Sequence, residues 1–320
     1  MRTEKIKTIA LICLLFSVNS FAVTGELRPV NNLFVLNPGP ASPLPEAADL
    51  NFGRSGSLCV SSASARAYEP NEGIDHPPKG EFITLLKFDG LVCSDTTING
   101  MKLKLAITNG NQSAGDIFNY RGQPGQFDLY RISNEWQQGS GSPLSPNESG
   151  LTYNGLVTLL EDPVTTYLET LYYDAAYSYS EGENWFTFNL DISNGHYENL
   201  LEDMESGETI TLMLIPVDGS EVCFNMRAYV QYNQNGTYSY RETGPKCEVS
   251  VNLPFTDVDF DENGIIDSID LLQITNNWLA TGENLIGDIS PLGGDGKIDF
   301  ADYTVFSQYW KRYVPQPDQH

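Results

Sequence analysis

Residues 23 to 254 show no sustained helical period. Short apolar or alternating runs are cut instead by Gly, Asn, Ser and Pro, the punctuation of strands and turns. Residues 82–88 and 126–132 are compact runs of this kind, and 101–107 alternates apolar residues with Lys. Residues 185–190, 209–215, 222–230 and 247–253 read as further strands, whereas 167–173 and 196–204 read as short helices or loops. Strands at this density, with Tyr and Phe enrichment, predict a mainly β domain over 23–254. The expected form is an antiparallel β-sandwich or jelly roll, with Phe88, Leu103, Leu105, Phe186 and Leu212 pointing inward.

The pattern changes over 255–312. Leu271, Ile274 and Trp278 recur as Tyr303, Phe306 and Trp310, each trio spaced i, i+3, i+7 as on one helix face. This predicts a small α-helical module with both tryptophans in its core, followed by a polar tail at 313–320. The opposite end, 1–22, has Arg2, Lys5 and Lys7 before a short apolar core and then Ser20-Phe21-Ala22. That is the pattern of a secretory signal peptide cleaved near Ala22, and the core is shorter than the ~20 residues of a spanning helix. The expected protein is therefore secreted or surface-bound, without membrane insertion.

Charge sharpens the picture. The chain has 18 basic and 42 acidic residues. Such a surface repels phosphate backbones and anionic lipid, so nucleic acid is not an expected partner. The acids also cluster: residues 257 to 302 hold eleven Asp or Glu and one base, Lys297.

Residues 259–270 read DFDENGIIDSID. Asp259, Asp261, Asn263, Asp267 and Asp270 stand at positions one, three, five, nine and twelve of an EF-hand-like loop. Gly264 at six permits the sharp turn, and Ile265 at seven offers its backbone carbonyl. Ca2+ is a hard ion that takes six to eight oxygens, which is why alternate positions carry oxygen donors. Here a shorter Asp replaces the usual closing Glu.

A second copy follows at an offset of 32 residues, with Asp295, Gly296, Lys297, Asp299 and Asp302 at positions five, six, seven, nine and twelve. Strict counting puts Pro291 and Gly293 at positions one and three, where neither has a side-chain oxygen. A three-residue insertion that bulges the loop returns Asp288 and Ser290 to those roles. One to two Ca2+ ions are expected.

Two loop–helix units with this spacing resemble the type I dockerin, over residues 257 to 311. The resemblance implies a cohesin-like protein partner, recognised through loop positions ten and eleven. Those are Ser268-Ile269 and Phe300-Ala301 here, unlike the Ser-Thr pair of cellulosomal dockerins. The upstream region is similar to disaggregatase-related (DNRLRE-type) β-sandwich domains. The carrying segments are 85–89 (LLKFD), 98–105 (INGMKLKL), 127–132 (FDLYRI), 135–141 (EWQQGSG) and 185–190 (WFTFNL). This likeness implies a jelly roll that is usually non-catalytic and sometimes binds polysaccharide.

Catalytic motifs are absent from the sequence: no nucleophile elbow, no HExxH helix and no Gly-rich phosphate loop. His76 and His196 are isolated, and no catalytic residue is assigned. Asp162, Asp174, Glu181, Glu183 and Asp191 lie near aromatics without forming a recognisable acid pair. Tyr167, Tyr172, Tyr173, Tyr177 and Tyr179 suit either a sugar-stacking platform or ordinary packing. Beyond the signal, Cys59, Cys93, Cys223 and Cys247 allow three disulfide connectivities, of which Cys223–Cys247 with Cys59–Cys93 is favoured. The leading expectation is a non-catalytic glycan- or surface-binding protein associated with polysaccharide degradation. A secreted glycoside hydrolase or polysaccharide lyase, and a structural surface protein, are the alternatives.

Overall fold

The computed structural model describes residues 23–65, 67–69, 74–91, 97–108, 118, 122–174, 185–232, 238–240, 244–252, 257–291 and 294–310. The expected signal segment, Cys93, Tyr177, Tyr179, Glu181, Glu183 and the 313–320 tail lie outside them, as does the His76 side chain. Strand outweighs helix, 39% to 18%. No helix among the described residues is long and apolar enough to cross a membrane.

The strands are β1 (Val23–Leu27), β2 (Pro29–Pro38), β3 (Ser57–Ser61), β4 (Ala67–Glu69), β5 (Ile74–His76), β6 (Gly80–Phe88), β7 (Thr97–Thr108) and β8 (Gly125–Ile132). After helix α1 (Tyr153–Leu159) come β9 (Thr166–Tyr173), β10 (Trp185–Leu190), helix α2 (Glu198–Glu205) and β11 (Ile210–Pro216). β12 (Cys223–Arg227), β13 (Val230–Tyr232), β14 (Tyr238–Tyr240) and β15 (Lys246–Asn252) complete the series. Eleven of them share one antiparallel sheet in the order β1-β15-β7-β12-β3-β6-β11-β8-β9, with β10 also on β7 and β2 also on β6. β4–β5 and β13–β14 are separate hairpins.

The sheet is one curled surface, where the sequence suggested two packed sheets. β7 is the reason. Its 12 residues pair with β15 from Thr97 to Lys104 and with β12 only at Ile107 and Thr108. One long strand thus passes from one side of the curl to the other. The edge strand β1 pairs along its whole length with β15, Val23 lying opposite Val251.

Inside the curl, alternation places Phe82, Leu86 and Phe88 from β6, Leu103 and Leu105 from β7, and Leu212 and Leu214 from β11 in one fully buried core. Phe186 is half-buried against the same core. The inward set read from the sequence is therefore borne out. Phe34 stacks on Phe52 at 4.8 Å, and Phe127 meets Phe188 edge-on at 5.2 Å.

β6 is a continuous apolar run because its other face is covered too. Ile83 and Leu85 join Leu33, Val35 and Met213 in a second core beneath Trp136, Leu151 and Leu156. That cover, residues 133–160 including α1, is pinned by two buried amides. Asn51 Nδ2 donates to the carbonyls of Gln138 at 2.9 Å and Leu151 at 2.8 Å, and its Oδ1 accepts from Gly53 and Gly141. Gln138 Oε1 accepts from the Asn32 backbone at 3.1 Å. Both amides thus find partners, which offsets the desolvation penalty of burying them.

Two expectations change. Residues 167–173 form strand β9, not a helix or loop. Its register against β8 slips between Leu129 and Tyr130, so the buried positions are Leu168, Leu171 and Tyr173, a spacing that mimics a helix. The strand also divides the tyrosines. Tyr173 is fully buried against Phe186 and Phe224, with its hydroxyl pushed up to about 12 by burial, while Tyr172 points to solvent. A stacking platform combining the two is ruled out by that alternation. Residues 196–204 are helical, as α2 with a 3-10 turn before it.

Candidate metal centre

Helices α3 (Ser268–Asn276) and α4 (Phe300–Tyr309) each begin directly after an acidic loop. Their starts are alike because their sequences are: Asp267 and Asp299 are N-caps, and Asp270 and Asp302 reach back to them in capping boxes. Asp267 Oδ1 accepts from the Ile269 amide and Asp299 Oδ1 from the Ala301 amide, both at 2.8 Å. The helices bury Ile274, and Val305, Phe306 and Tyr309. Trp278 is half-buried and packs against the core, as the stripe suggested, whereas Trp310 is 38% exposed and is not a core residue. α4 ends at Tyr309, and Trp310 at its C-cap has already left the helical backbone, with ψ 125°.

In the first loop, Asp259 is 4% and Asp270 0% exposed. The Asp259 carboxylate accepts from the amides of Asn263 at 3.1 Å and Gly264 at 2.8 Å. Asp270 accepts from Asp261 at 3.3 Å and Asp267 at 2.8 Å. Carboxylate oxygens of Asp259, Asp261 and Asp270 all lie within 4.8 Å of one another. Gly264 has φ +85°, which a side chain at that tight turn would resist. Asn263 Oδ1 accepts from the Ile265 amide at 2.8 Å, and its Nδ2 donates to Asp261.

The second loop repeats this framework. Asp288 accepts from the amides of Asp295 at 3.0 Å and Gly296 at 2.8 Å, as Asp259 does from Asn263 and Gly264. Asp302 accepts from Ser290 at 2.9 Å and Asp299 at 2.8 Å, as Asp270 does from Asp261 and Asp267. Asp295 Oδ1 accepts from the Lys297 amide at 3.0 Å, matching Asn263 and Ile265. Asp288 stands eight residues before Gly296, whereas Asp259 stands five before Gly264. The three extra residues leave the hydrogen-bond frame unchanged. Lys297 itself is exposed and bridges to Thr281.

The donor set suits a hard cation. Three carboxylates converge in the first loop, two of them buried, and none of the ion pairs among the described residues involves either loop. Three carboxylate oxygens that close together repel unless a cation sits between them. Among the described residues only the first loop gathers three carboxylates this tightly. Ser290 stands where the first loop has Asp261, so that position carries no charge in the second loop. The double role of Asp267 and Asp299 as caps is legible in the D-x-x-D spacing, a capping box with Asp in place of Glu.

Elsewhere, an open cleft is lined by Asn134, Glu135, Trp136, Gln137, Gly150 and Leu151. Glu135 is its one carboxylate, so it does not offer the acid pair of a glycosidase. Lys87 Nζ lies 4.3 Å above the Trp136 ring and donates to the Asn134 and Trp136 carbonyls at 2.9 Å, which occupies the ring face. His196 Nδ1 lies 3.2 Å from the Leu168 carbonyl with its ring edge-on to Tyr167, a packing role. Comparison with known proteins finds no protein-family model that matches this chain and no curated protein that resembles it.

Proposed function

We propose that the chain is an exported, non-catalytic calcium-binding protein. Residues 255–312 act as a dockerin-like module for one to two Ca2+ ions, and the β domain recognises a glycan or another surface component. The supporting observation is the repetition of one carboxylate hydrogen-bond frame in two loops of different length. A merely acidic turn has no reason to preserve that frame across a three-residue insertion.

Asp259, Asp261, Asn263 and Asp270, with the Ile265 carbonyl, would hold the first ion. Asp288, Ser290, Asp295 and Asp302, with the Lys297 carbonyl, would hold the second. Asp267 and Asp299 serve each site through the helix start, at the loop position that often reaches calcium through water. A bound ion supplies a divalent positive charge that offsets the carboxylate crowding. A cohesin-like partner would meet Ile269 and Phe300, which are 48% and 74% exposed.

The test is a calcium titration of the chelator-stripped protein, followed by calorimetry and far-UV dichroism. Helical signal and heat should both rise, saturating at one to two equivalents. Identical spectra in chelator and in calcium would defeat the reading. A glycan array probed with residues 23–254 tests the β domain separately.

A further inference from the structure

β3 and β12 are neighbours in the sheet, and each brings a cysteine to the same face. In their antiparallel register Cys59 lies opposite Asn225 and Cys223 opposite Ser61, so the cysteines are diagonal neighbours. Alternation along both strands then points their side chains to one side. In a flat ladder such a diagonal spans ~7–8 Å between Cα atoms, just beyond the ~6.8 Å that a disulfide tolerates. Sheet twist shortens one of the two diagonals, and both residues are buried free thiols in this structure, each close enough to perturb the other's ionisation.

Both residues are 0% exposed and held on their outer sides. Cys223 exchanges backbone hydrogen bonds with Gln123 at 2.8 and 3.1 Å, and the Cys59 carbonyl accepts from Thr84 Oγ1 at 2.7 Å. Cys247 is remote. It pairs with Leu103 on β7, whereas the β12 register carries Cys223 two residues past Thr108. Five residues of strand, ~17 Å, already separate Leu103 from Thr108, and Cys223 lies further along β12 than Asn225, the partner of Thr108, so the Cys223–Cys247 bridge favoured from the sequence is out of reach.

We propose that Cys59 and Cys223 form a cross-strand disulfide when the chain folds in the presence of a disulfide-carrying oxidant, the class found outside the cytoplasm. A Cys223 thiolate attacks one sulfur of the oxidant, releasing one thiol and leaving a mixed disulfide. The Cys59 thiolate then attacks the Cys223 sulfur and releases the second thiol. Two S–H bonds are lost, one S–S bond forms, and the two electrons and two protons leave on the released thiols. Complete burial places the exchange during folding and afterwards shields the bond from reductants. The link would tie the first half of the curled sheet to its second half, which restricts the unfolded chain.

The experiment refolds the chain from Val23 onward in a glutathione redox buffer, then alkylates it in denaturant and maps its peptides without reduction. The expected result is one linked pair carrying Cys59 and Cys223, roughly 2 Da lighter than the separate peptides, and a urea midpoint that falls on adding dithiothreitol. Cys247→Ser should leave the link in place. In Cys223→Ser the midpoint should no longer respond to dithiothreitol. If that variant fails to fold, the wild-type map alone decides. Full alkylation of Cys59 after oxidation, or its linkage to Cys93, would overturn the proposal.

Discussion

Asp270→Asn separates the electrostatic role of the first loop from its role in starting a helix. The Asp270 carboxylate is 0% exposed and lies within 4.8 Å of those of Asp259 and Asp261. Two unit charges at that distance repel by ~3.5 kcal/mol at an effective dielectric of about 20, and by ~0.9 kcal/mol in bulk water. Buried Asp259 belongs near the first value and exposed Asp261 near the second, so the amide relieves about 4 kcal/mol in the absence of metal. Against this, one of the two amides that Asp270 accepts from, Asp261 or Asp267, meets an NH2 group instead of an oxygen. That mismatch costs about 1–3 kcal/mol. In chelator the variant should therefore be at least as stable as the wild type, by up to ~3 kcal/mol within the module. In calcium the sign reverses, because one charged ligand is gone. Affinity at the first loop should fall on the order of a hundredfold, ~2.7 kcal/mol. Urea unfolding followed by dichroism, in chelator and in saturating calcium, reads both. A midpoint lowered equally in the two buffers would refute the reasoning and leave Asp270 as a capping residue only.

Gly294 tests the longer second loop: its φ is +77°, and a Cβ there would meet Asp288 Oδ2 at 2.6 Å. Gly294→Ala should weaken calcium at the second loop and spare the first in a two-site calorimetric titration. Equal loss at both would show that the loops do not act separately. Glu81 gives a pH-dependent prediction, since burial raises its pKa, partly opposed by hydrogen bonds from Asn37 and Tyr153. The folded state holds that proton more tightly than the unfolded chain. Its stabilising contribution is thus full below the ordinary carboxylate range and lost as pH rises through the raised value. Glu81→Gln should gain on the wild type between about pH 4 and pH 7 in urea midpoint. A difference that stays constant with pH would contradict the assignment.

The strands were readable where one face is polar or where Val, Leu, Ile and Phe run together, as in β6, β7, β8, β10, β11 and β15. β3 was hidden because all five of its residues, Ser57 to Ser61, are buried, including two serines. A strand covered on both sides loses its alternation. β9 was hidden by the opposite effect, a bulge that converted period two into a three-residue step. The loop residues of the candidate metal centre were legible because their spacing is duplicated along the chain. The partner of Cys223 was not. It depends on which strands neighbour each other across more than a hundred residues, and that order follows from the curl of the whole sheet rather than from any local pattern.

The pairing of β1 with β15 bears on how the domain comes into being. Val23 waits for Val251, so the outermost ladder cannot zip until nearly the whole domain has been synthesised. Closing so distant a contact carries a large entropic barrier, which makes folding slow compared with proteins built from local contacts. A chain that stays open until its last strand arrives is also one that can still be threaded through a narrow pore. Removing β1 or β15 would uncover a hydrogen-bonding edge, and such truncated forms should pair with one another and aggregate.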